Sequence, residues 1–199
     1  MRRPDLVADC ASCAAICCTA TSFEVSEDFA CAKPAGVRCR NLTRAGRCAI
    51  HSELAVRGFA GCAIYDCYGA GPRVTRAFAE RLTGEGGHDG DGGNGRDGRD
   101  GRAEPDRDAA FLVLRVVHEL MWLLDEAARL CPASSELAGD LAAQLAALQA
   151  ISDGPVAALM ALDVAAQEAA ARAVLRRVGS TLGGRQVFRI SLAVRTVLR

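Results

Sequence analysis

Cys10-Ala-Ser-Cys13-Ala-Ala-Ile-Cys17-Cys18 places four thiols within nine residues, and Cys31, Cys39, Cys48, Cys62 and Cys67 follow. The tenth cysteine, Cys131, stands far downstream. Thiols gathered in this way hold a metal, pair as disulfides or do redox work. Around them large apolar residues are sparse, with neither helical nor strand period. A segment of about 60 residues with so little apolar bulk needs staples or metal to fold. Residues 10–71 are therefore predicted to form an irregular cysteine-rich unit. Short helical turns are expected at 11–18 and 52–57, and chain turns at 34–36 and 69–72.

The spacing favours metal. Cys10 and Cys13, with two residues between them, have the spacing of a metal knuckle, where both sulfurs turn to one ion and backbone N–H groups point at them. Cys13 and Cys17 are four apart, so a helical turn would put them on one face. Cys17 and Cys18 are neighbours, with Cα atoms about 3.8 Å apart. A disulfide prefers roughly 4.4–6.8 Å, so bonding between the pair is disfavoured. Adjacent side chains diverge, so the pair can serve two different centres, or a cluster and a packing role. Cys39 and Cys48 bracket a turn at 44–47, and Cys62 and Cys67 bracket Ala63-Ile-Tyr-Asp66. A tetrahedral zinc site takes four ligands and a four-iron cluster takes four thiolates. The candidate ligands are Cys10, Cys13, Cys17, Cys18, Cys39, Cys48, Cys62 and Cys67, enough for two such sites or for one site and several spare thiols. Cys31 and His51, three residues after Cys48, stand at the margin of this set.

Composition narrows the function classes. The 199 residues carry 24 basic and 24 acidic side chains, a formal net charge of zero. That balance argues against nucleic acid or an anionic membrane as partner. All basic residues except Lys33 are arginine, which reads first as coding bias. Arg2-Arg3 leads into Pro4-Asp5 and not into an apolar run, so no secretory signal is expected. The most apolar later stretch, 111–124, is too short for a bilayer and carries Arg115, His118 and Glu119. A cytoplasmic location is the expectation, and in a reducing compartment clustered cysteines more often bind metal than form disulfides.

The chain divides by composition into a cysteine-rich unit at 1–82, a linker at 83–105, a helical region at 106–182 and a basic tail at 183–199. Residues 84–102 hold no apolar side chain and read as a disordered Gly/Asp/Arg linker. Its Asp-Gly-Asp-Gly-Gly-Asn run lacks the final glutamate and flanking helices of a calcium loop. A helix capped by Asp106 or Asp108 is predicted to carry Leu114, Val117, Met121, Leu124 and Ala128 on one stripe, and to end at Cys131-Pro132. A second helix, capped by Ser134 or Ser135, carries Leu137, Leu141, Leu145 and Leu148. A third begins after Gly154-Pro155 with Val156, Met160, Val164, Ala171, Val174 and Val178. The fold class is thus mainly α, a metal-binding unit followed by a three-helix antiparallel bundle.

The pattern Cys10-x-x-Cys13-x-x-x-Cys17-Cys18, Cys39-x-x-Leu42, Cys48-x-Ile50, Cys62 and Cys67 resembles the CxxCxxxCC family of zinc- or iron-chelating domains. The resemblance implies metal chelation, as zinc or an iron–sulfur cluster. The chain departs from it at His51, where the family usually has tyrosine, at Arg57-Gly58, where it has Arg-Pro, and in possessing Cys31. Residues 10–71 and 114–178 also resemble the front part of actinobacterial pentapeptide-repeat proteins, but no five-residue repeat is present here.

Three functions are consistent with these features. The first is a metal-binding module with a mainly structural metal, whose helices offer a surface to a protein partner or a second copy. The second is an iron–sulfur redox or enzyme-accessory component, and the third a thiol redox sensor or metal buffer. No dinucleotide loop or catalytic triad spacing is present, and His118-Glu119 lacks the second histidine of a zincin motif. Cys131 reads as a small buried residue, His118 as a bordering histidine, and Tyr65 and Tyr68 as packing over the metal unit.

Overall fold

The computed structural model describes residues 3–84, 104–132 and 135–182. The predicted linker and the basic tail lie outside the described residues, apart from the linker's two ends. The fold is mainly α. Among the described residues there are seven α-helices, three short 3-10 turns and no strand, and two isolated antiparallel bridges join Phe23 to Lys33 and Leu42 to Cys48. The chain forms two compact units that divide after Arg115.

The first unit begins with 3-10 turns at Pro4–Leu6 and Cys10–Ser12, the second capped by Asp9, whose carboxylate accepts from the Ala11 and Ser12 N–H groups. Helix α1, Cys17–Ala20, is a single turn. The 3-10 turn His51–Glu53 and helix α2, Ala60–Ile64, follow. The expected turn at 34–36 is present, with Gly36 at φ 72°. That at 69–72 is only partly so. Helix α3, Ala70–Gly84, takes Ala70, Gly71 and Pro72 into its first turn, where a missing proline N–H costs nothing. Phe23 stacks on Phe29 with centroids 4.3 Å apart and meets Phe59 edge-on at 6.3 Å. Leu6, Ile16, Val74, Phe111 and Leu114 are fully or almost fully buried, each worth about 1.5–3 kcal/mol.

Helix α4, Pro105–Leu130, opens with proline at its first position and Asp106 and Asp108 in its first turn, which suits the positive helix N-terminus. Neither aspartate is the cap, because both already lie inside the helix. Its last turn is tied by Arg129 to Asp125 and Glu126, and Cys131-Pro132 closes it as expected.

The second unit holds the remainder of α4 and three further helices. Helix α5, Glu136–Asp153, is capped by Ser135, whose hydroxyl accepts from the Ala138 N–H at 3.3 Å. The single third helix expected from the sequence is two. Helix α6, Val156–Met160, stops, and helix α7, Val164–Leu182, starts anew. Asp163 explains the break, because its carboxylate accepts from the Ala166 N–H at 3.0 Å as a helix cap. The restart moves the apolar face. Met160 is exposed, whereas Leu159 and Leu175 join Ala171 and Val178 in the core. Asp140 near the start of α5 pairs with Arg177 near the end of α7, which makes the two helices antiparallel. His118 of α4 bonds Ser152 near the end of α5 at 2.8 Å, the antiparallel relation again.

Candidate metal centre

The eight candidate cysteines all belong to the first unit. None of the ten cysteines is in a disulfide. The loop that carries Cys13 is not helical. Cys13 is extended, at φ −110° and ψ 143°, and Ala15 takes a positive φ of 55°. The predicted helical turn between Cys13 and Cys17 is therefore broken. In its place the N–H groups of Ile16 and Ala15 turn to the Cys13 sulfur, as in a metal knuckle. Burial pushes the Cys13 thiol up, and these hydrogen bonds, with one from Thr75, oppose that rise.

Cys13 meets the start of α3. A side-chain carbon on Gly71 would lie 2.7 Å from the Cys13 sulfur and 3.7 Å from that of Cys67. The first contact is too close, so only glycine leaves the Cys13 sulfur where it lies. The Thr75 hydroxyl, one turn on, accepts from the Ala14 N–H and donates to the Gly71 carbonyl, each at 2.9 Å. Cys10 lies in the 3-10 turn packed on α3. Loss of water around its sulfur raises the Cys10 thiol, followed by the charges of Cys67, Cys13 and Cys18. The Cys17 thiol is raised well above its ordinary value, first by its hydrogen bond to Cys18, then by burial, then by Cys18, Cys13 and Cys67.

A second neighbourhood forms around Cys18. The Cys39 N–H donates to the Cys18 carbonyl at 2.9 Å. Cys39 and Cys48 stand at the two ends of the expected turn, where Thr43 N–H bonds the Arg47 carbonyl and Gly46 sits at φ 66°. The Asn41 N–H turns to the Cys39 sulfur, but burial still raises that thiol, with help from Cys18 and Cys48. The Cys62 thiol is pushed up to about 11 by loss of water, then by Cys18, Cys39 and Cys48. Cys18 alone is held down, to about 7, by the hydrogen bond from Cys17 and, against its burial, by Lys33 and Arg38.

Lys33 escaped the sequence reading. It is 5% exposed, and its ammonium donates to the carbonyls of Thr19, Pro34 and Val37 at 2.9–3.1 Å. Burial lowers it, while Cys39, Cys18 and Asp108 raise it. The available signal was its rarity, the one lysine in a chain whose other cations are all arginine. Thr75 and Gly71 gave no comparable signal, since their roles depend on a helix start that no motif marks.

Cys31 lines a small cavity of about 160 Å³ with Phe23, Lys33, Val37 and Cys39. His51 is exposed at the head of its 3-10 turn. Tyr65 and Tyr68 flank the Arg115 guanidinium at 5.4 and 5.9 Å from their ring centroids. Cys131 is half-buried just after α4. His118 is deeper than expected, 2% exposed and bonded to Ser152.

Among the described residues no three His, Cys, Asp or Glu side chains stand in an arrangement that could hold a metal ion. The donor set nevertheless suits a thiophilic ion or cluster: eight thiols in one unit, N–H groups aimed at Cys13 and Cys39, and a side-chain-free position between two sulfurs. Cys17 and Cys18 are hydrogen-bonded to each other as free thiols.

No family model matches the chain, and no solved structure matches it. The chain is similar to the uncharacterised protein YybG of Bacillus subtilis strain 168, 35% identical over 127 residues. The match covers 62% of this chain and 39% of YybG, so the chain spans about two fifths of that relative. Among the described residues no helix is long and apolar enough to cross a membrane.

Proposed function

We propose that this chain is a metal-binding module of the CxxCxxxCC kind, related to the front part of pentapeptide-repeat proteins. Its thiolates hold zinc or an iron–sulfur cluster with a mainly structural role. The observation that carries this reading is the close approach of the Cys13 and Cys67 sulfurs to Gly71, with two N–H groups turned to Cys13. Residues 54 positions apart in sequence meet there, at a point where any side chain would displace a sulfur. Half-buried sulfurs that lie near one another without bonding have no stabilising partner in each other, and a metal would supply one. The ligands are Cys10, Cys13, Cys17, Cys18, Cys39, Cys48, Cys62 and Cys67. The reading places the chain in the cytoplasm, since clustered cysteines in a reducing compartment more often bind metal than form disulfides.

Purification without oxygen, followed by an absorption spectrum and assays of zinc, iron and sulfide, tests this reading. A colourless protein with zinc, or a brown one with iron and sulfide, supports it. A metal-free protein with oxidised thiols overturns it.

A further inference from the structure

We infer that the opening turns of α4 are the positioning element of the thiol site: Asp108 sets the Cys17–Cys18 pair through Thr19, and Arg115 sets Cys67 through Tyr65 and Tyr68. The inference deepens the metal-binding reading by naming residues outside the cysteine segments that hold its thiols. It rests on that reading only for what the thiols bind.

Thr19 directly follows the cysteine pair in α1 and is fully buried. Its hydroxyl is shared between Asp108 Oδ1 at 3.0 Å and the Ile16 carbonyl at 2.9 Å. Its carbonyl accepts from the Lys33 ammonium at 3.1 Å. The single turn of α1 has no side-chain cap at its start, so these bonds are what fix its direction. Asp108 is itself 5% exposed, and its second oxygen has no hydrogen-bond partner. A carboxylate buried with one oxygen unsatisfied costs stability. Its place beside Thr19 is therefore explained by what it holds.

Cys67 sits in a loop of unusual backbone. Tyr68 has a φ of 50° and Gly69 one of 79°, and a non-glycine residue in the left-handed region needs its surroundings to keep it there. The Asp66 carboxylate accepts from the Tyr68 N–H at 2.7 Å. The Arg115 guanidinium lies 5.4 Å from the Tyr65 ring centroid and 5.9 Å from that of Tyr68, so one cation grips the residues on both sides of Cys67. The Ala70 N–H donates to the Cys67 carbonyl at 2.9 Å and closes the loop onto α3.

Asp108 and Arg115 are seven residues apart. That spacing puts them on one face of α4, about 10.5 Å apart along its axis. Phe111, between them in sequence, is fully buried. One rigid helix thus spans two cysteine segments that lie 49 positions apart in the chain, Cys18 and Cys67. The thiol site draws on residues beyond the cysteine-rich stretch, and that stretch alone is not the whole of it.

The test is the rate of alkylation by iodoacetamide, resolved for each cysteine by mass spectrometry, in the full-length protein purified without oxygen. Asp108→Ala is expected to speed labelling of Cys17 and Cys18 about tenfold, the factor that one lost buried hydrogen bond gives a local opening, with Cys67 unchanged. Thr19→Val should do the same, and the double variant should add nothing further. Asp108→Asn, whose amide oxygen still accepts the Thr19 hydroxyl, should stay near wild type. Arg115→Ala should speed Cys67 several-fold and leave Cys17 and Cys18 alone. Variants that speed all these cysteines alike, or none, overturn the proposal. A wild-type chain without metal overturns the metal-binding reading instead, and the labelling pattern still decides the positioning. Should the alanine variants be insoluble, native-state hydrogen exchange of the wild-type chain decides. The Thr19 and Ala20 amides, both bonded to the Ile16 carbonyl, should open together with those of Phe111 and Leu114. Opening of α1 in less denaturant than these overturns the proposal.

Discussion

Between Pro4 and Gly69 the chain satisfies much of its backbone with turns and side chains, whereas from Val116 to Leu182 it does so with helices. In the first unit α1 is four residues long and α2 five. The carbonyls that no ladder pairs are taken up by cations. Lys33 serves Thr19, Pro34 and Val37, Arg38 serves Leu42 and Thr43, and Arg47 serves Cys10 and Ala11. In the second unit arginine pairs with carboxylates, as Arg129 does with Asp125 and Arg172 with Glu168, because the helices have already used the carbonyls. The same abundant residue type thus holds a loop together in one place and decorates a surface in the other. A structure built on side-chain props has little cooperative backbone of its own, so its stability depends on whatever joins the props.

Metal removal should show the contrast most strongly. Structural zinc supplies about 10–16 kcal/mol in small thiolate units, more than a unit with so little apolar burial can replace. Chelation under reducing conditions is expected to abolish hydrogen-exchange protection at the Cys39 and Leu42 amides while amides of α5 and α7 stay protected. Equal loss in both units, or loss in neither, breaks the comparison.

A core truncation should act in the opposite sense. Leu148 is fully buried in α5. Leu148→Ala is expected to cost about 2–5 kcal/mol in denaturant unfolding of the helical unit, with metal content unchanged. A parallel loss of metal would show that the two units are not independent.

The helical unit was the more legible one because periodicity states its core directly. Of the expected stripes, Leu114, Val117, Met121, Leu124, Leu137, Leu141 and Leu148 are buried, whereas Ala128 and Leu145 are only half-buried and Ala127 takes the core position beside Ala128. The sequence pattern failed at Asp163, where a cap inside an apolar-periodic stretch restarts the helix and rotates the buried face from Met160 to Leu159 and Leu175. In the cysteine unit the residue types announced the chemistry, but the positions did not announce the pairing. Spacing put Cys13 and Cys17 on one helical face, whereas the positive φ of Ala15 breaks that turn. The approach of Cys13 and Cys67 at Gly71, and the backbone bond from Cys39 to Cys18, are long-range relations that no local motif encodes.

A smaller effect sharpens the account of the helical core. Ser152 lies just before the Gly154-Pro155 break, where no sequence signal marks it, yet it is 4% exposed and bonds His118 at 2.8 Å. Ser152→Ala deletes that bond and is expected to cost about 1–3 kcal/mol, measured by chemical denaturation, again with metal content unchanged. A cost below a few tenths would mean that the pair adds nothing beyond packing.

The smallest effect concerns the ninth cysteine of the first unit. Cys31 lines the cavity beside Lys33 and Cys39, close enough to Cys39 to be mistaken for a ligand by position alone. Its neighbourhood differs in kind. The thiols that raise Cys62 are Cys18, Cys39 and Cys48, all of them in the proposed ligand set. A fifth thiolate has no place in a tetrahedral site. Cys31→Ser is therefore expected to leave metal content unchanged and to shift the unfolding midpoint of the cysteine unit little, by about 0.5 kcal/mol or less as for a substitution outside the core. If Cys31→Ser lost as much metal as Cys39→Ser, Cys31 would belong to the ligand set. The unit would then be organised around the cavity and not around the turn at 44–47.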